Sequence, residues 1–178
     1  MFHFRQFRQD DYSEFRRMNH ALYREDPPDE KITDRKISRT IRELRKNPCK
    51  GKIIIFEKDK VMIGYSILVP YWSNEYGGTI LHVDELYVKP EHRKHGVATN
   101  FLQQIAQVFK DEFVGLQLEV TPANKSAMAY YEKIGFRKTR NVHLTRKERI
   151  QKGEPTDDYI GVLNSSASSR NHNNYRQC

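Results

Sequence analysis

Four residues between a strand pattern and a helix pattern have the chemistry of a phosphate-binding loop. Lys89, Arg93 and Lys94 supply positive charge, and Gly96 permits a tight turn before the helix begins. The first helical turn, residues 97–100, has no acidic side chain, so its N–H groups stay open to an anion. The spacing R-x-x-G-x-A also fits an ordinary strand-to-helix turn. No Gly-Lys-Ser/Thr follows, which excludes a Walker loop, and a single glycine disfavours a dinucleotide fingerprint.

Three residues near this loop suit proton transfer. Asp84 and Glu85 are carboxylates just upstream, and either could accept a proton from an amine. Strand alternation puts them on opposite faces and groups Asp84 with His82 and Leu86, but a bulge would exchange those faces. Tyr131 can donate a proton to a leaving group. Structural alternatives remain for all three, because a carboxylate can pair with a helix end and a tyrosine can pack in the core.

Periodicity predicts the elements that position these residues. Alternation predicts strands, and apolar side chains at helical spacing predict helices that begin at residues 12, 34, 97 and 124. The resulting order is β-α-α-β-β-β-α-β-α-β, which is typical of an α/β protein with a mixed sheet and helices on both faces. The predicted strands cover residues 1–7, 52–57, 61–71, 79–88, 116–120 and 136–145.

Composition limits the class of protein. The chain has 178 residues, 37% of them hydrophobic, and a formal net charge of +8. That length suits one domain, which we place at residues 1–149. No apolar run approaches the ~20 residues of a membrane span, and no secretory signal or metal-ligand spacing is visible. Two cysteines are too few for a disulfide framework. We therefore expect a cytoplasmic location, no metal and no membrane.

The last 29 residues, 150–178, have a different composition. They hold three basic and three acidic residues, so all of the net charge belongs to residues 1–149. Residues 164–178 contain one aromatic side chain, which predicts a polar, mobile tail. Residues 158–163 are the one tail segment with the composition of a short strand.

The loop and its neighbours together resemble the GNAT superfamily of acetyl-CoA-dependent N-acetyltransferases. Arg93–Ala98 matches the family's Q/R-x-x-G-x-G/A loop, and Tyr131–Phe136 matches its Y-x-K-x-G-F ending. Val83–Val88 and Val120–Asn124 stand in the corresponding order. The resemblance implies a mixed, mostly antiparallel sheet of about six to seven strands flanked by four helices. It also implies acetyl-CoA as co-substrate, and a homodimer is one option.

The resemblance assigns roles to particular positions. Tyr131 would lie near the CoA sulfur as the general acid, and Asp84 or Glu85 would be the base. Pro122 lacks an N–H, so the strand before it would splay from its neighbour and leave backbone groups for the pantetheine arm. The residues expected to bind the cofactor are Leu86, Tyr87, Val88, Arg93, Lys94, His95, Gly96, Val97, Ala98, Thr99, Asn124 and Tyr131.

The acceptor is the least determined part. Two segments are rich in acidic and aromatic residues, and they suit a small cationic amine through ion pairing and cation–π contact. We expect acceptor contacts from Asp26, Trp72, Glu75 and Tyr76, although solvated loops have the same composition. Two other classes stay open: a CoA-binding sensor or interaction module without turnover, and an enzyme acting on a protein or tRNA-linked amine. Nucleic acid is not the expected partner, because no aromatic residues are interleaved with the basic ones.

Overall fold

The structure is a computed structural model that describes residues 1–146; the candidate tail strand at 158–163 lies outside this range. Residues Met1–Phe136 form one unit, and a second unit begins at Arg137. The elements in chain order are β1 (Phe2–Gln6), α1 (Tyr12–Glu25), α2 (Asp34–Lys46), β2 (Lys52–Lys58), β3 (Val61–Ser73), β4 (Gly78–Val88), α3 (Val97–Val108), β5 (Gly115–Leu118) and α4 (Lys125–Lys133).

Five strands form one sheet in the order β1-β2-β3-β4-β5. All neighbours pair antiparallel except β4 and β5, which are parallel. The predicted mixed, mostly antiparallel sheet with four helices is confirmed, but the described chain has five strands rather than six or seven.

The strand predicted at residues 136–145 is wrong. That segment contains no strand; Phe136 at its start packs against the core, but Val142 and Leu144 are 82% and 92% exposed. A strand needs a ladder partner and at least one packed face. Alternating apolar residues alone do not supply either.

The sheet separates two apolar cores. On one face α1 and α2 bury Phe15, Met18, Ile37 and Ile41 against β2, β3 and Tyr87 of β4. On the other face the apolar side of α3 packs against β2, β3 and β4, and α4 adds partly buried side chains. The functional residues of β4 therefore lie in a strand whose two faces meet different helices.

A bulge in β4 interrupts the alternation of its side chains. Ile67 pairs with Glu85 and Leu68 pairs with Val83, so Asp84 has no partner in β3. Beyond the bulge, Leu86 joins Val83 in the α3-side core, whereas Glu85 points toward the α1 side. The expected grouping of Asp84 with Leu86 is wrong, because the extra residue shifts the alternation by one position.

The parallel pairing of β5 is short. Residues Gly115–Leu118 pair with Ile80–Val83, and no described strand pairs with residues 84–88 on that side. β5 ends two residues before the predicted boundary and four before Pro122. The end of β4 therefore has an open edge next to the bulge.

Candidate active site

The loop after β4 forms a cradle of backbone N–H groups. Lys94 has a φ of 63°, and Gly96, with a φ of 80°, is the N-cap residue of α3. Since glycine has no side chain to cap the helix, the first N–H groups of α3 remain open. An added Cβ at Gly96 would meet only the Asn100 Nδ2 atom, at 3.4 Å, so the space above the glycine is free.

The basic side chains of the loop differ in their partners. Lys89 Nζ lies 2.6 Å from Glu14 Oε1 of α1. The Arg93 guanidinium donates to the Val88 carbonyl at 2.8 Å and to Glu25 at 2.6 Å. Lys94 is exposed and forms no ion pair within residues 1–146. Helix α1 thus holds two of the three cations, and Lys94 remains available to an anion.

Other residues expected to bind the cofactor have structural contacts. The Thr99 hydroxyl lies 3.0 Å from the Tyr130 hydroxyl, which joins α3 to α4. Asn124 is the N-cap of α4, since its Oδ1 accepts from the Ala127 N–H at 3.1 Å. His95 Nδ1 lies 2.7 Å from the Arg93 carbonyl and braces the loop. Val97 is buried in the core, and Ala98 packs against it.

The open edge of β4 offers backbone rather than side chains. Tyr87 and Val88 are 5% and 8% exposed, and the side chain of Leu86 packs against the α3-side core. The side chains of Leu86, Tyr87 and Val88 therefore pack in the interior. A ligand along this edge would therefore be held through N–H and C=O groups, which suits an amide-bearing chain.

Glu85 is buried and accepts three hydrogen bonds. Asn19 Nδ2 and the Tyr23 hydroxyl each donate at 2.6 Å, and the Tyr65 hydroxyl donates at 2.7 Å. Burial raises the pKa of Glu85, while the hydrogen bonds oppose that rise. Both of its oxygens are occupied. This carboxylate therefore joins α1 to the centre of the sheet.

Asp84 differs from Glu85 in its exposure and in its hydrogen bonding. It is exposed, it is the unpaired residue of the bulge, and its carboxylate makes no hydrogen bond within the described residues. Local desolvation raises its pKa; His82 opposes that rise, and the charge of Glu119 adds to it. A carboxylate with a raised pKa and no internal partner is suited to take a proton.

Tyr131 lies on α4, half-buried against the α3-side core. Its ring contacts those of Tyr130 and Phe136, with centroid distances of 5.1 and 5.6 Å. Its hydroxyl has no partner in residues 1–146. Burial raises the pKa of Tyr131 to about 12, with a smaller contribution from Tyr130. The phenol therefore stays protonated over the working range of an enzyme and remains a donor.

The residues expected to contact the acceptor do not form one wall. The Asp26 carboxylate accepts from the Thr121 hydroxyl at 2.8 Å and from Asn124 Nδ2 at 3.3 Å, so it ties the end of α1 to the start of α4. Trp72 and Tyr76 are 68% and 57% exposed on the β3–β4 hairpin. With a rise of about 3.3 Å per residue, the hairpin turn lies roughly 20 Å along β4 from Asp84.

Asn19, Tyr65 and Glu119 escaped the sequence-based prediction, whereas His82 was already grouped with Asp84 and Tyr23 lies in a segment expected to contact the acceptor. Asn19, Tyr23 and Tyr65 surround Glu85, while His82 and Glu119 influence Asp84. One signal was available: Asn19 and Tyr23 are four apart on the inner face of α1, where a polar asparagine interrupts an apolar stripe. The neighbours of Asp84 depend on the bulge and on the β5 register, which the sequence does not specify.

Within residues 1–146 no group of three His, Cys, Asp or Glu side chains is placed to hold a metal ion. Across this range, no helix has both the length and the apolar character required to traverse a bilayer.

The arrangement described above recurs in known proteins. Residues 8–136 match the model of the Acetyltransferase (GNAT) family. The chain belongs to this family. Structures with the same fold include one described as "a possible acetyltransferase" from Clostridium difficile 630, with a TM-score of 0.71 and 21% identity over 85% of this chain and 99% of that one.

Two other relatives are informative. The structure of AAC(6')-Iy in complex with the bisubstrate analogue CoA-S-monomethyl-acetylneamine has a TM-score of 0.68 and 18% identity, covering 84% of this chain and 99% of that one. Thialysine N-epsilon-acetyltransferase of Caenorhabditis elegans is 30% identical over 79 residues, which are 44% of this chain and 46% of the relative. The chain thus spans about half the length of the curated relatives it matches.

Proposed function

We propose that this protein is an acetyl-CoA-dependent N-acetyltransferase that transfers acetyl directly to the primary amine of a small cationic acceptor. The observation that carries the proposal is the position of Asp84. Within residues 1–146 this carboxylate makes no hydrogen bond or ion pair, and it lies in a bulge beside the open edge of β4. The cradle at Gly96 and the phenol of Tyr131 complete the set of groups that acyl transfer requires.

The loop and the edge of β4 fit CoA. Two residues with positive φ, Lys94 and Gly96, precede a helix without an acidic first turn, and this geometry suits a pyrophosphate. The backbone of residues 86–88 would hold the amide-bearing pantetheine arm. Acetyl-CoA would supply an activated acetyl group as a thioester; everything else in the reaction depends on residues of this chain.

Asp84 would prepare the acceptor for reaction. An alkyl ammonium has a pKa around 10, so it must lose a proton before its nitrogen can form a bond. Because the pKa of Asp84 is raised, the difference between the pKa of the ammonium donor and that of the carboxylate acceptor is smaller. The same negative charge, with that of Glu119 nearby, would attract the ammonium group. Glu85 is the weaker candidate for the base, because three donors already occupy its oxygens.

Two groups would stabilise the charges of the transfer. As the nitrogen–carbon bond forms, negative charge grows on the thioester oxygen, and a backbone N–H near Leu86 would support it. As the carbon–sulfur bond breaks, the Tyr131 hydroxyl would donate its proton to sulfur. A thiol has a pKa near 8.5, so donation from a phenol at about 12 is uphill, and solvent must return a proton to Tyr131.

The identity of the acceptor rests on weaker support. The matched relatives are named for the N-epsilon amine of thialysine, and a structural neighbour was solved with an analogue derived from neamine. Both names specify amines. We propose a small cationic amine whose reacting nitrogen lies at Asp84. Only a long acceptor would also reach Trp72 or Glu75.

Calorimetry and a turnover assay test the proposal separately. We expect acetyl-CoA and CoA to bind, and dephospho-CoA to bind more weakly because it lacks a phosphate. A panel of thialysine, lysine, spermidine and neamine should release CoA faster than the enzyme does without an amine. Binding without any amine-stimulated release would favour a CoA sensor over an enzyme. The absence of CoA binding would contradict both.

A further inference from the structure

Helix α2 carries an uninterrupted stripe of positive charge. Its 13 residues include six basic and two acidic side chains, a net charge of +4, which is half of the net charge of the chain. Arg35, Arg39, Arg42 and Lys46 follow the spacing i, i+4, i+7, i+11. At 3.6 residues per turn, these four positions lie within an arc of about 60°. We call them the α2 stripe.

The α2 stripe is exposed and unneutralised. All four side chains are exposed, while Ile37 and Ile41 on the opposite side of the helix are 2% and 5% exposed. None of the four forms an ion pair in the described part of the chain. The two acidic residues of α2 have other partners, since Asp34 bonds to Arg16 and His20, and Glu43 bonds to Lys50.

A groove runs beside the α2 stripe, between α2 and the start of α1. Its lining includes Ile41 and the apolar stems of longer side chains; the polar groups along it belong to Gln9, Tyr12, Ser38, Arg42, Arg45 and Lys46. The Tyr12 hydroxyl lies 2.9 Å from the Ser38 hydroxyl, and Arg45 Nη1 donates to Gln9. Such neutral groups commonly contact the sugar and phosphate oxygens of nucleic acids.

We propose that the α2 stripe and this groove bind the phosphate backbone of a single nucleic-acid strand. The four cations extend over roughly 16 Å along the helix at 1.5 Å per residue, so they can follow several successive phosphates. Three of the four are arginines, which match phosphate oxygens with paired donors. Among the described residues, Tyr12 is the one aromatic side chain that lines the groove, and its hydroxyl is hydrogen-bonded to that of Ser38. The binding is therefore to the backbone and independent of base sequence.

Two other anionic partners fit this surface less well. A helix that inserts into a membrane needs an accessible apolar face, but the apolar face of α2 is buried in the core. A protein interface has an apolar centre inside a polar rim. The α2 stripe has charge at its centre and no exposed large apolar residue on the helix. Phosphate alone matches its composition.

The salt dependence of RNA binding tests the proposal. The probe is a fluorescent single-stranded RNA of mixed sequence, about 20 nucleotides long, in an anisotropy titration with the full chain. Four contacts predict a log–log slope of about −3, so affinity should fall roughly 50-fold between 50 and 200 mM salt. R39Q/R42Q should halve the slope, which leaves a fall of roughly 7-fold.

A charge-matched variant controls for nonspecific attraction. K58Q/K110Q removes two exposed lysines from other parts of the chain and should keep the slope within one unit of the parent value. Equal losses from both double variants would overturn the proposal, as would the absence of RNA binding at 50 mM salt. The proposal would also be overturned if the protein bound polyglutamate or phosphatidylserine vesicles more strongly than RNA and this binding depended on Arg39. Acetylation of a small amine should be unchanged in R39Q/R42Q, which separates this site from the active site.

Discussion

The two ends of β4 are built in different ways. At one end, the loop from Lys89 to Gly96 has two left-handed residues, a short 3₁₀ turn and ion pairs to both ends of α1. At the other end, the hairpin turn near Glu75 exposes Trp72 and Tyr76, and the Tyr76 N–H donates to the Ser73 hydroxyl at 3.4 Å. The loop is held by its backbone conformation and by ion pairs to α1, whereas the hairpin turn presents exposed aromatic side chains.

This difference suggests that the two ends of β4 serve different ligands. A fixed backbone suits an invariant ligand such as CoA, whereas exposed side chains can change without disturbing the fold. Asp84 lies between the two ends, at the bulge. Under this view, changes at the loop should alter the affinity for acetyl-CoA whichever acceptor is used. Changes at the bulge should alter the use of the amine and leave acetyl-CoA affinity nearly unchanged.

The largest effect is expected for Asp84→Asn. Loss of the base should lower kcat/KM for the amine by about 10² to 10⁴, with little change in KM for acetyl-CoA. The raised pKa of Asp84 places the acid limb of the wild-type pH profile above the range of an ordinary aspartate, because activity needs the deprotonated form. The variant should lose that limb.

Glu119→Gln is the control for the charge near Asp84. It removes a neighbouring carboxylate without removing the base, so activity should fall much less and the acid limb should move to lower pH. An Asp84→Asn enzyme with near-normal turnover would contradict the role of Asp84 and redirect attention to Glu85.

Tyr131→Phe should have the next largest effect. Loss of the donor to sulfur should lower kcat about 10- to 100-fold, the low end of general acid catalysis, because the transfer from a phenol is uphill. With a pKa of about 12, Tyr131 stays protonated, so wild-type kcat should show no alkaline decline below about pH 11 from this group. Stopped-flow or steady-state pH profiles provide the measurement.

Tyr130→Phe is the matched control on the same helix. It loses the bond to Thr99 but leaves the proposed donor in place, so kcat should change by less than about 3-fold. Similar losses in both variants would indicate that the two tyrosines act only through packing.

A pair of glycine variants compares the two ends of β4 directly. Gly96 and Gly77 both have positive φ, at 80° and 62°, and a Cβ at either position meets no atom closer than 3.4 Å. Each substitution to alanine should therefore lower the free energy of unfolding by about 1 kcal/mol, because alanine disfavours a positive φ. Gly96→Ala should also weaken acetyl-CoA binding about 5-fold, if the cradle relaxes by that free energy.

Gly77→Ala should lose the same stability and bind acetyl-CoA normally. Thermal unfolding and calorimetry on both variants give the two quantities. Equal losses of acetyl-CoA affinity would show that the ends of β4 are not independent, which would break the comparison.

The smallest effect is expected for Glu25→Gln. This change frees the Arg93 guanidinium from a half-exposed ion pair, so acetyl-CoA should bind about 2- to 3-fold more tightly at low salt. The gain should disappear at high salt because exposed charges are screened. Glu112→Gln, an exposed carboxylate before β5, is the charge-matched control, and an equal gain there would point to net charge alone.

Local patterns were sufficient to predict most of the fold. The helices begin where N-cap residues and apolar spacing place them: Thr33 accepts from the Lys36 N–H, and Asn124 caps α4. The turn at Gly96 before α3 was also predictable, since the glycine and the helix are contiguous in sequence. These features depend on residues close together in the chain.

Features that depend on pairing between distant strands were not predictable. The bulge at Asp84 arises from the register of β4 against β3, so the two carboxylates could be distinguished only in three dimensions. Asp26 was predicted to contact the acceptor because its segment is rich in acidic and aromatic residues. Its carboxylate instead accepts hydrogen bonds from Thr121 and Asn124, which lie far along the chain. The prediction of a strand at residues 136–145 was wrong for the same reason, because alternation in the sequence does not supply a neighbouring strand to pair with.

The short parallel pairing of β5 has a kinetic consequence. Strands β2, β3 and β4 form consecutive antiparallel hairpins, whereas β4 and β5 are joined only after a crossover through residues 89–114. Non-local parallel contacts form more slowly than local hairpins because a long loop must close first. We expect the cleft between β4 and β5 to assemble last and to open first. A ligand that contacts both β4 and β5 would therefore slow the opening of the cleft, which is the step that limits the lifetime of the folded state.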